Sequence, residues 1–337
     1  MMVRQAHHVP QKTRVVSGMR PTGKLHLGHY HGVLRNWLKL QEEYDCFFFV
    51  ADFHGLTTEY ADPSVVRDST HEILLDWLSV GLDPAKAVLF VQSHIKEHAE
   101  LHLLLSMLTP VGWLERVPSY KEMQQELSNR DLSTYGFLGY PLLQTADIVL
   151  YNGQKVPVGA DQVPHIELSR EIVRRFNHLY GKTLIEPQPL LTETPKLLGP
   201  DRRKMSKSYN NCLYLSDPPE VIVQKVRSAI TDPARIRRDD PGNPAICLIF
   251  DYHKLHSDPS EVTRVDRDCR NASLGCVEDK KKIAEILNAF LEPIQKKRSE
   301  LSKNRDYLDE VIRKGGQKAL EVASQTMTKV KKAMGFQ

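Results

Sequence analysis

The stretch RVVSGMRPTGKLHLGHY, residues 14–30, decides the fold that this sequence predicts. It opens with an apolar run, continues through a Pro-Thr-Gly turn, and leads into an amphipathic run from Tyr30 to Leu40. That order indicates a strand, a tight turn and a helix start. At such a helix start Gly28 lets a phosphate approach the backbone, where unpaired N–H groups and the positive helix end favour an anion. His26 and His29 flank that position.

Further apolar runs continue this strand pattern along the chain. Residues 46–51 (CFFFVA) and 87–92 (AVLFVQ) resemble buried parallel strands. The segment between them has a helical pattern from Ser64 to Val80 that stops at Gly81, and residues 182–191 return toward the sheet. Strands that alternate with helices predict an α/β fold with a parallel sheet, whose ligands bind at the carboxyl ends of the strands.

The remaining segments predict a helical layer and a second module. A length of 337 residues is long for one compact core, and the pattern from Leu101 to Phe176 is mostly helical. Asp217 is predicted to cap a helix whose first positions are prolines, which places a domain boundary there. The predicted organisation is a catalytic domain of residues 1–215 with a helical insertion at about 101–180, and a helical domain of residues 216–337.

The composition is that of an ordinary folded protein, with 41% hydrophobic and 26% charged residues. No run approaches the roughly 18 apolar residues that span a bilayer, and the N-terminal residues lack the apolar core of a signal peptide. Five cysteines in a long chain argue against a disulfide framework. We therefore expect a cytoplasmic protein with no membrane partner.

Positive charge is concentrated near the C-terminus. The net charge of the chain is +4, but residues 280–332 contain fourteen Lys or Arg against seven Asp or Glu, which is about +7. A basic helical segment suits a polyanion such as RNA. The alternative, on charge alone, is a solvated helical face.

A second short motif lies about 175 residues after the first: Lys204-Met205-Ser206-Lys207-Ser208. Neighbouring Gly, Pro and Asn residues indicate a loop, so by itself this run is also typical of a generic basic turn. Beside the histidine turn it predicts an ATP-splitting site. Cations near the β and γ phosphates stabilise the charge that grows as pyrophosphate leaves.

Together the two motifs resemble the signature motifs of class I aminoacyl-tRNA synthetases, and most of the chain is similar to the bacterial tryptophanyl enzymes. Four blocks carry the resemblance: residues 17–30, 51–54, 140–148 and 158–162. The resemblance implies a Rossmann catalytic domain, a C-terminal all-α anticodon-binding domain and a homodimer. It also implies ATP with Mg²⁺, and L-tryptophan and tRNA(Trp) as substrates.

The third block can also be interpreted from its spacing. On a helix, Tyr140, Gln144, Asp147 and Tyr151 form one polar stripe among apolar positions, so an ionised Asp147 there needs a donor. A partner elsewhere in the chain is the ordinary alternative. The resemblance implies instead that an otherwise unpaired Asp147 accepts the indole N–H and thereby excludes phenylalanine. It implies that Tyr140 helps to hold the substrate amino group. The predicted tryptophan-binding residues are Asp147, Tyr140, Gln144, His54 and Gln162.

The resemblance also implies the residues that handle ATP. The turn at 159–162 is expected at the ribose, Lys121 at the phosphates, and Arg20 stands where many members have glutamine. The predicted ATP-binding residues are Arg20, Pro21, Thr22, Gly28, His29, Lys121, Gly159, Ala160, Asp161, Lys204, Met205, Ser206, Lys207 and Ser208, and the catalytic residues are His26, His29, Lys204 and Lys207. The implied reaction forms tryptophanyl-adenylate, which the 2′-hydroxyl of the terminal tRNA adenosine then attacks.

Three cysteines suggest a remnant of a metal site. Cys247, Cys269 and Cys276 are followed by Asp279, and some tryptophanyl enzymes hold a [4Fe–4S] cluster with four cysteines in this region. Here Asp279 stands at the position of the fourth cysteine. Such clusters normally require four thiolates, so free thiols are favoured over a cluster.

Two alternative functions remain at this stage. A tyrosyl-tRNA synthetase would share the histidine turn and a substrate-facing aspartate, although residues 146–148 and 158–176 are more similar to the tryptophan enzyme. A non-catalytic paralogue that senses tryptophan or binds RNA would have no need of the lysines that stabilise pyrophosphate.

Overall fold

The structure, a computed structural model, describes residues 12–117, 132–192, 197–206 and 209–336. Its centre is a five-stranded parallel sheet with the strand order β3-β2-β1-β4-β5. The strands are β1 (Arg14–Met19), β2 (Asp45–Val50), β3 (Ala87–Val91), β4 (Lys155–Val158) and β5 (Gln188–Leu191). This arrangement confirms the predicted Rossmann-type α/β fold. The strand order reverses between β1 and β4, which is where such sheets open a crevice for ligands.

Helices surround the sheet and form the whole regular structure of the described C-terminal region. A π-helical turn (Tyr30–Leu34) separates the first two. The helices are α1 (Leu27–His29), α2 (Arg35–Glu43), α3 (Asp52–Glu59), α4 (Ser64–Val80), α5 (Glu97–Ser106), α6 (Val111–Glu115), α7 (Tyr135–Leu138), α8 (Tyr140–Leu150), α9 (Val163–Tyr180), α10 (Pro219–Arg227), α11 (Leu248–His256), α12 (Pro259–Arg270), α13 (Cys276–Ser302) and α14 (Arg305–Ala333). Among the described helices, none is long and apolar enough to cross a membrane.

The strongest sequence patterns are confirmed by these elements. The three apolar runs are β1, β2 and β3, and α4 spans Ser64–Val80 and ends at the predicted Gly81. The Trp37 ring stacks on the Phe48 ring with centroids 4.2 Å apart, which fastens α2 to the sheet. The strands β1, β2 and β3 are therefore stabilised by apolar burial, as the sequence pattern predicted.

The segment expected to be mostly helical is so in its described residues, but it also contains β4, which is only four residues long and includes Pro157, so its pattern is weak. One local prediction is wrong. Asp217 does not cap α10, whose N-cap residue is Pro218. Its carboxylate instead accepts hydrogen bonds from the Tyr214 backbone N–H (2.8 Å) and from Lys225 (2.7 Å).

The last two helices pack directly on the half of the chain that contains the sheet. Helix α14 covers β3, the edge strand of the sheet, and protects its edge from pairing with another chain. A Cβ on Gly315 would lie 1.8 Å from the Leu89 carbonyl oxygen, so only glycine permits this contact. Leu287 and Leu291 of α13 belong to the same buried cluster as Trp37 and Phe48. One apolar core thus extends from the sheet into the C-terminal helices.

Candidate active site

A cavity of about 590 Å³ opens at the carboxyl ends of β1 and β4, where the strand order reverses. Parallel sheets place ligands at this point. The structure brings together nine of the residues that the sequence singled out. The cavity is lined by Arg20, His54, Tyr140, Gln144, Asp147, Gly159, Asp161, Gln162 and Lys204.

Asp147 is buried at the wall of this cavity, with 1% of its surface exposed. Its Oδ2 atom accepts a hydrogen bond from His54 Nε2, and its Oδ1 atom accepts from Gln92 Nε2 and His98 Nδ1, each at 2.7 Å. The expectation of an otherwise unpaired carboxylate is therefore wrong. The donors come from α3, from the residue that follows β3 and from α5. They stabilise the carboxylate, since burying a charge without hydrogen-bond partners costs free energy.

These donors keep the carboxylate ionised. Burial would raise the pKa of Asp147, but His54 and His98 hold it below its usual value. An ionised carboxylate only accepts hydrogen bonds, so both contacting histidine nitrogens carry hydrogens. Three donors occupy three of about four acceptor positions, which leaves Oδ2 able to accept one more.

A second layer holds the donors themselves. The Tyr151 hydroxyl bonds to His98 Nε2 at 2.7 Å, and the Phe53 backbone N–H donates to Gln92 Oε1 at 3.1 Å. Gln92, His98 and Tyr151 are all fully buried. Sequence reasoning placed Tyr151 on the polar stripe but missed Gln92 and His98. The available signal was position, because Gln92 directly follows the end of β3.

The cavity wall at Tyr140 includes a second histidine. Tyr140 lies with its hydroxyl 3.4 Å from His165 Nε2, and both residues line the cavity. Burial, followed by the charge of His54, lowers the pKa of His165 to about 4. His165 is therefore neutral at neutral pH and adds polarity to this wall without adding charge. The sequence analysis did not single it out.

The histidine turn is compact. His26 is 7% exposed, its ring centroid lies 3.8 Å from that of His29, and its backbone N–H donates to His29 Nδ1 at 3.2 Å. A Cβ on Gly28 would come within 2.9 Å of the His26 ring and 3.8 Å of the Met205 sulfur. Gly28 therefore permits the packing of His26, and the lysine motif lies directly beside the histidine turn.

The predicted unpaired N–H groups are wrong for three positions of this turn. The Leu27 N–H donates to the Leu213 carbonyl at 2.9 Å, and the His29 and Tyr30 N–H groups donate to the His26 carbonyl at 2.9 and 3.1 Å. These bonds tie the turn to itself and to residue 213.

The lysine motif is organised by Asn211. The Ser206 backbone N–H donates to Asn211 Oδ1 at 2.8 Å, while Asn211 Nδ2 donates to Asp201 at 2.7 Å and to the Lys204 carbonyl at 3.1 Å. Asn211 is 5% exposed, and sequence analysis noted it only as part of a loop. Lys204 itself is exposed and reaches the cavity. Lys207, Ser208 and Lys121 lie outside the described residues.

The other predicted ATP contacts sit at the strand ends. Arg20 donates to the Thr58 hydroxyl from the rim of the cavity. The Thr22 N–H bonds to the Arg20 carbonyl, which closes the turn that contains Pro21. Ala160 begins the short 3₁₀ turn Ala160–Gln162 after β4. His26, His29, Pro21, Thr22, Gly28, Ala160, Met205 and Ser206 do not line the described part of the cavity.

The three cysteines of the C-terminal region also come together, around Arg235. Its Nη1 atom lies 3.9 Å from Cys269 Sγ and 3.7 Å from Cys276 Sγ, and all three cysteines are free thiols. The space that they share with Cys247 and Asp279 is only about 10 Å³. Asp279 bonds to His253 Nε2 at 3.0 Å. This arrangement does not fit a four-iron cluster, and no group in the described ranges is arranged to hold a metal ion.

The fold and the site define a class: a Rossmann-type α/β protein with a cavity where its strand order reverses, beside the histidine and lysine motifs. Comparison with known families gives the particular member. A model described as tRNA synthetases class I (W and Y) matches residues 10–292. The chain belongs to this family, as the sequence motifs predicted.

Individual relatives match over nearly their whole length. A tryptophan–tRNA ligase of Thermotoga maritima is 50% identical over 325 residues, which covers 96% of this chain and 99% of the relative. One of Aquifex aeolicus is 46% identical and covers 96% and 100%. The solved tryptophanyl-tRNA synthetase of Campylobacter jejuni, complexed with ADP and tryptophan, is 31% identical with a TM-score of 0.87, covering 96% of this chain and all of that one.

Proposed function

We propose that the chain is a tryptophan–tRNA ligase, which activates L-tryptophan with ATP and transfers it to the 3′ end of tRNA(Trp). The observation that carries this function is the ionised, buried Asp147 in the wall of a cavity that Lys204 also lines. The near-complete matches to tryptophan–tRNA ligases support it.

Recognition of tryptophan depends on the remaining acceptor position of Asp147. The indole N–H donates to Oδ2 beside His54, and the surrounding apolar wall includes Phe49, Phe137 and Ile148. Tyr140, Gln144 and Gln162 orient the amino and carboxylate groups of the substrate. Phenylalanine would fill part of the cavity without supplying the N–H, and a site built around such a bond rejects analogues that lack it.

Activation of tryptophan takes place at the other end of the cavity. An oxygen of the tryptophan carboxylate attacks the α-phosphorus of ATP, the bond to the bridging oxygen breaks, and pyrophosphate leaves. His26 and His29 contact the nucleotide, while Lys204 and Lys207 neutralise charge on the departing pyrophosphate. Arg20 and the turn at 159–161 hold the rest of the nucleotide. No covalent bond to the enzyme is needed.

Mg²⁺ fits this scheme as a companion of ATP. Mg²⁺ keeps several waters and binds mainly through substrate phosphates, so it needs no dedicated protein cage.

Transfer to tRNA follows on the same site. The terminal ribose hydroxyl attacks the acyl carbonyl of the adenylate and AMP leaves. Residues 216–337 are proposed as the anticodon-binding domain, in a cytoplasmic enzyme. The excess positive charge of α13 and α14 supports contact with an RNA backbone.

A homodimer is the proposed assembly. Leu103 of α5, Met107 just after it and Val111 at the start of α6 are large apolar residues with 55%, 71% and 58% of their surfaces exposed. Large exposed apolar residues at nearby positions in the chain support a protein interface there. Sedimentation equilibrium of the full chain at micromolar concentration tests it, and a monomer would contradict it.

The decisive experiment is exchange of labelled pyrophosphate into ATP with purified protein and tryptophan, tyrosine or phenylalanine. Exchange that depends only on tryptophan is the expected result. Exchange with tyrosine would favour a tyrosyl enzyme. No exchange with any of the three, in protein shown to be folded by circular dichroism, would favour a non-catalytic tryptophan sensor.

A further inference from the structure

Helix α13 contacts the chain beside both signature motifs through two polar residues. Gln295 and Arg298 are three residues apart and therefore lie on the same face of the helix. Both point away from the basic exposed surface of α13 and are partly buried. They make hydrogen bonds beside the two motifs, while Leu287 and Leu291 on the same helix are buried apolar residues.

Arg298 reaches the histidine turn through Asp76. Its Nε donates to Asp76 Oδ1 at 2.7 Å, and its Nη2 donates to Glu72. Asp76 lies on α4, is 1% exposed, and accepts the Leu25 backbone N–H on its other oxygen at 3.1 Å. Leu25 directly precedes His26. The carboxylate thus bridges the C-terminal helix and the residue that begins the histidine motif.

Gln295 reaches the segment that follows the lysine motif. Its Nε2 donates to the carbonyls of Leu215 and Asp217, at 3.2 and 2.8 Å. The Leu215 N–H in turn donates to the Leu25 carbonyl at 3.0 Å. His26 and Tyr214 form an antiparallel bridge between the same two segments.

The two segments are therefore held to each other and, on both sides, to one helix. Leu25 uses its N–H on Asp76 and its carbonyl on Leu215, so its backbone position is fixed from opposite directions. A small shift of such a backbone would move His26 relative to Lys204. Rates of positioned reactions are sensitive to displacements of this kind.

We propose that Asp76, Arg298 and Gln295 form a clamp that sets the histidine turn against the lysine loop for adenylate formation. They are positioning residues, because none of the three is among the described residues that line the cavity. The clamp rests on the proposed function, in which the two motifs share one ATP molecule. It gives the C-terminal helices a direct role in the first chemical step, before any tRNA binds.

Asp76→Asn tests the clamp, with Glu72→Gln as its matched control. Both changes remove one carboxylate that Arg298 contacts. Only Asp76 also accepts a hydrogen bond from the Leu25 backbone N–H. Loss of a charge-assisted hydrogen bond at Asp76 should lower kcat/KM for ATP in pyrophosphate exchange by about tenfold to a hundredfold. The KM for tryptophan should stay within about twofold, and Glu72→Gln should stay within about twofold on all constants.

Three further variants keep the test valid if Asp76→Asn folds poorly. Gln295→Met should also lower kcat/KM for ATP and spare the KM for tryptophan. Arg298→Lys should recover part of the activity that Arg298→Met loses, because it keeps a cation beside Asp76. Melting temperatures are measured for each variant, and assays run below the lowest of them.

Equal effects of Asp76→Asn and Glu72→Gln would overturn the clamp, as would parallel changes in the constants for ATP and tryptophan. Those results would assign these residues to general stability. Wild-type protein without tryptophan-dependent exchange would instead overturn the proposed function.

Discussion

The two sides of the cavity, which the proposed function assigns to tryptophan and to ATP, are built differently. On the tryptophan side, Asp147, Gln92, His98 and Tyr151 are at most 1% exposed and are joined by side-chain hydrogen bonds of 2.7 Å. On the ATP side, Lys204 is exposed on a loop. In the proposed function, discrimination between amino acids is thus built into the core, while the chemistry is carried by a turn and a loop.

The difference has a physical reason. A buried carboxylate is tolerated only when surrounding donors satisfy it, so its geometry is rigid before the substrate arrives. Groups that follow pyrophosphate must meet a charge that changes position during the reaction, and an exposed lysine on a loop is suited to that task. Substitutions on the two sides should therefore have different kinetic effects.

The largest effect is expected from Asp147→Asn. An asparagine presents an N–H₂ group to one of three donors that now face a carboxylate, which leaves buried groups unpaired. We expect kcat/KM for tryptophan in pyrophosphate exchange to fall by about 10³-fold. If kcat/KM for tryptophan fell less than tenfold in protein with a normal circular dichroism spectrum, Asp147 would not be a specificity residue.

Lys204→Ala should act on the other side. Losing one cation that stabilises the transition state should lower kcat by about 10² to 10³, with the KM for tryptophan nearly unchanged. Arg203→Ala is the matched control, since the neighbouring Arg203 pairs with Asp201 and does not line the described cavity. Similar losses in both variants would mean that loop charge, and not the position of Lys204, matters.

Two buried tyrosine hydroxyls allow a symmetrical test. Tyr151 bonds to His98 behind the tryptophan side, and Tyr252 donates to the Leu198 carbonyl at 2.7 Å, next to the bridge between Leu198 and Lys204. Each Phe variant loses one hydrogen bond, worth about 1 kcal/mol. Tyr151→Phe should raise the KM for tryptophan about fivefold and spare ATP, and Tyr252→Phe should do the reverse. If the two variants changed the constants for tryptophan and ATP in the same way, the proposed difference between the two sides would be contradicted.

The smallest effect concerns pH and the helix that follows the histidine turn. His31 Nε2 lies 3.0 Å from His256 Nε2, and burial, with the charge of Arg35, lowers the pKa of both rings. The unfolded chain binds these protons more readily, so stability is lost as the pH falls below about 6.5. His256→Gln should reduce this loss at pH 5 by about 1 kcal/mol.

Urea unfolding at pH 7 and pH 5 measures this difference. His178→Gln is the control, because His178 is exposed on α9 and should leave the pH dependence unchanged. If His256→Gln and His178→Gln behave alike, the histidine pair contributes nothing to acid sensitivity.

Sequence analysis predicted the parts of the molecule that depend on local patterns. The strands β1, β2 and β3 and the helix α4 were recognisable because each carries its own apolar period and stop signal. It missed β4, whose four residues include a proline, and it assigned Asp217 to a helix cap that the structure does not form. The two failures have different causes, since β4 is held by pairing with β1 and β5, whereas the Asp217 carboxylate bonds to the nearby Tyr214 and Lys225.

The residues of the candidate site also divide into those that the sequence identified and those that it missed. The sequence alone identified Asp147, His54 and Lys204, and those residues do meet at one cavity. It could not identify Gln92 and His98, which lie 55 and 49 residues before Asp147 and belong to other elements. Their one local signal is the position of Gln92, directly after the end of β3.

By itself the sequence determined the family, the strands β1, β2 and β3 and nine of the residues that line the cavity, because motifs and periodicity are written in contiguous residues. Only the tertiary structure decided how Asp147 is satisfied and how Arg298, 222 residues beyond Asp76, joins the C-terminal helix to the histidine turn. Hydrogen bonds between distant segments depend on packing distance and direction. Those quantities exist only once the helices have closed on the sheet.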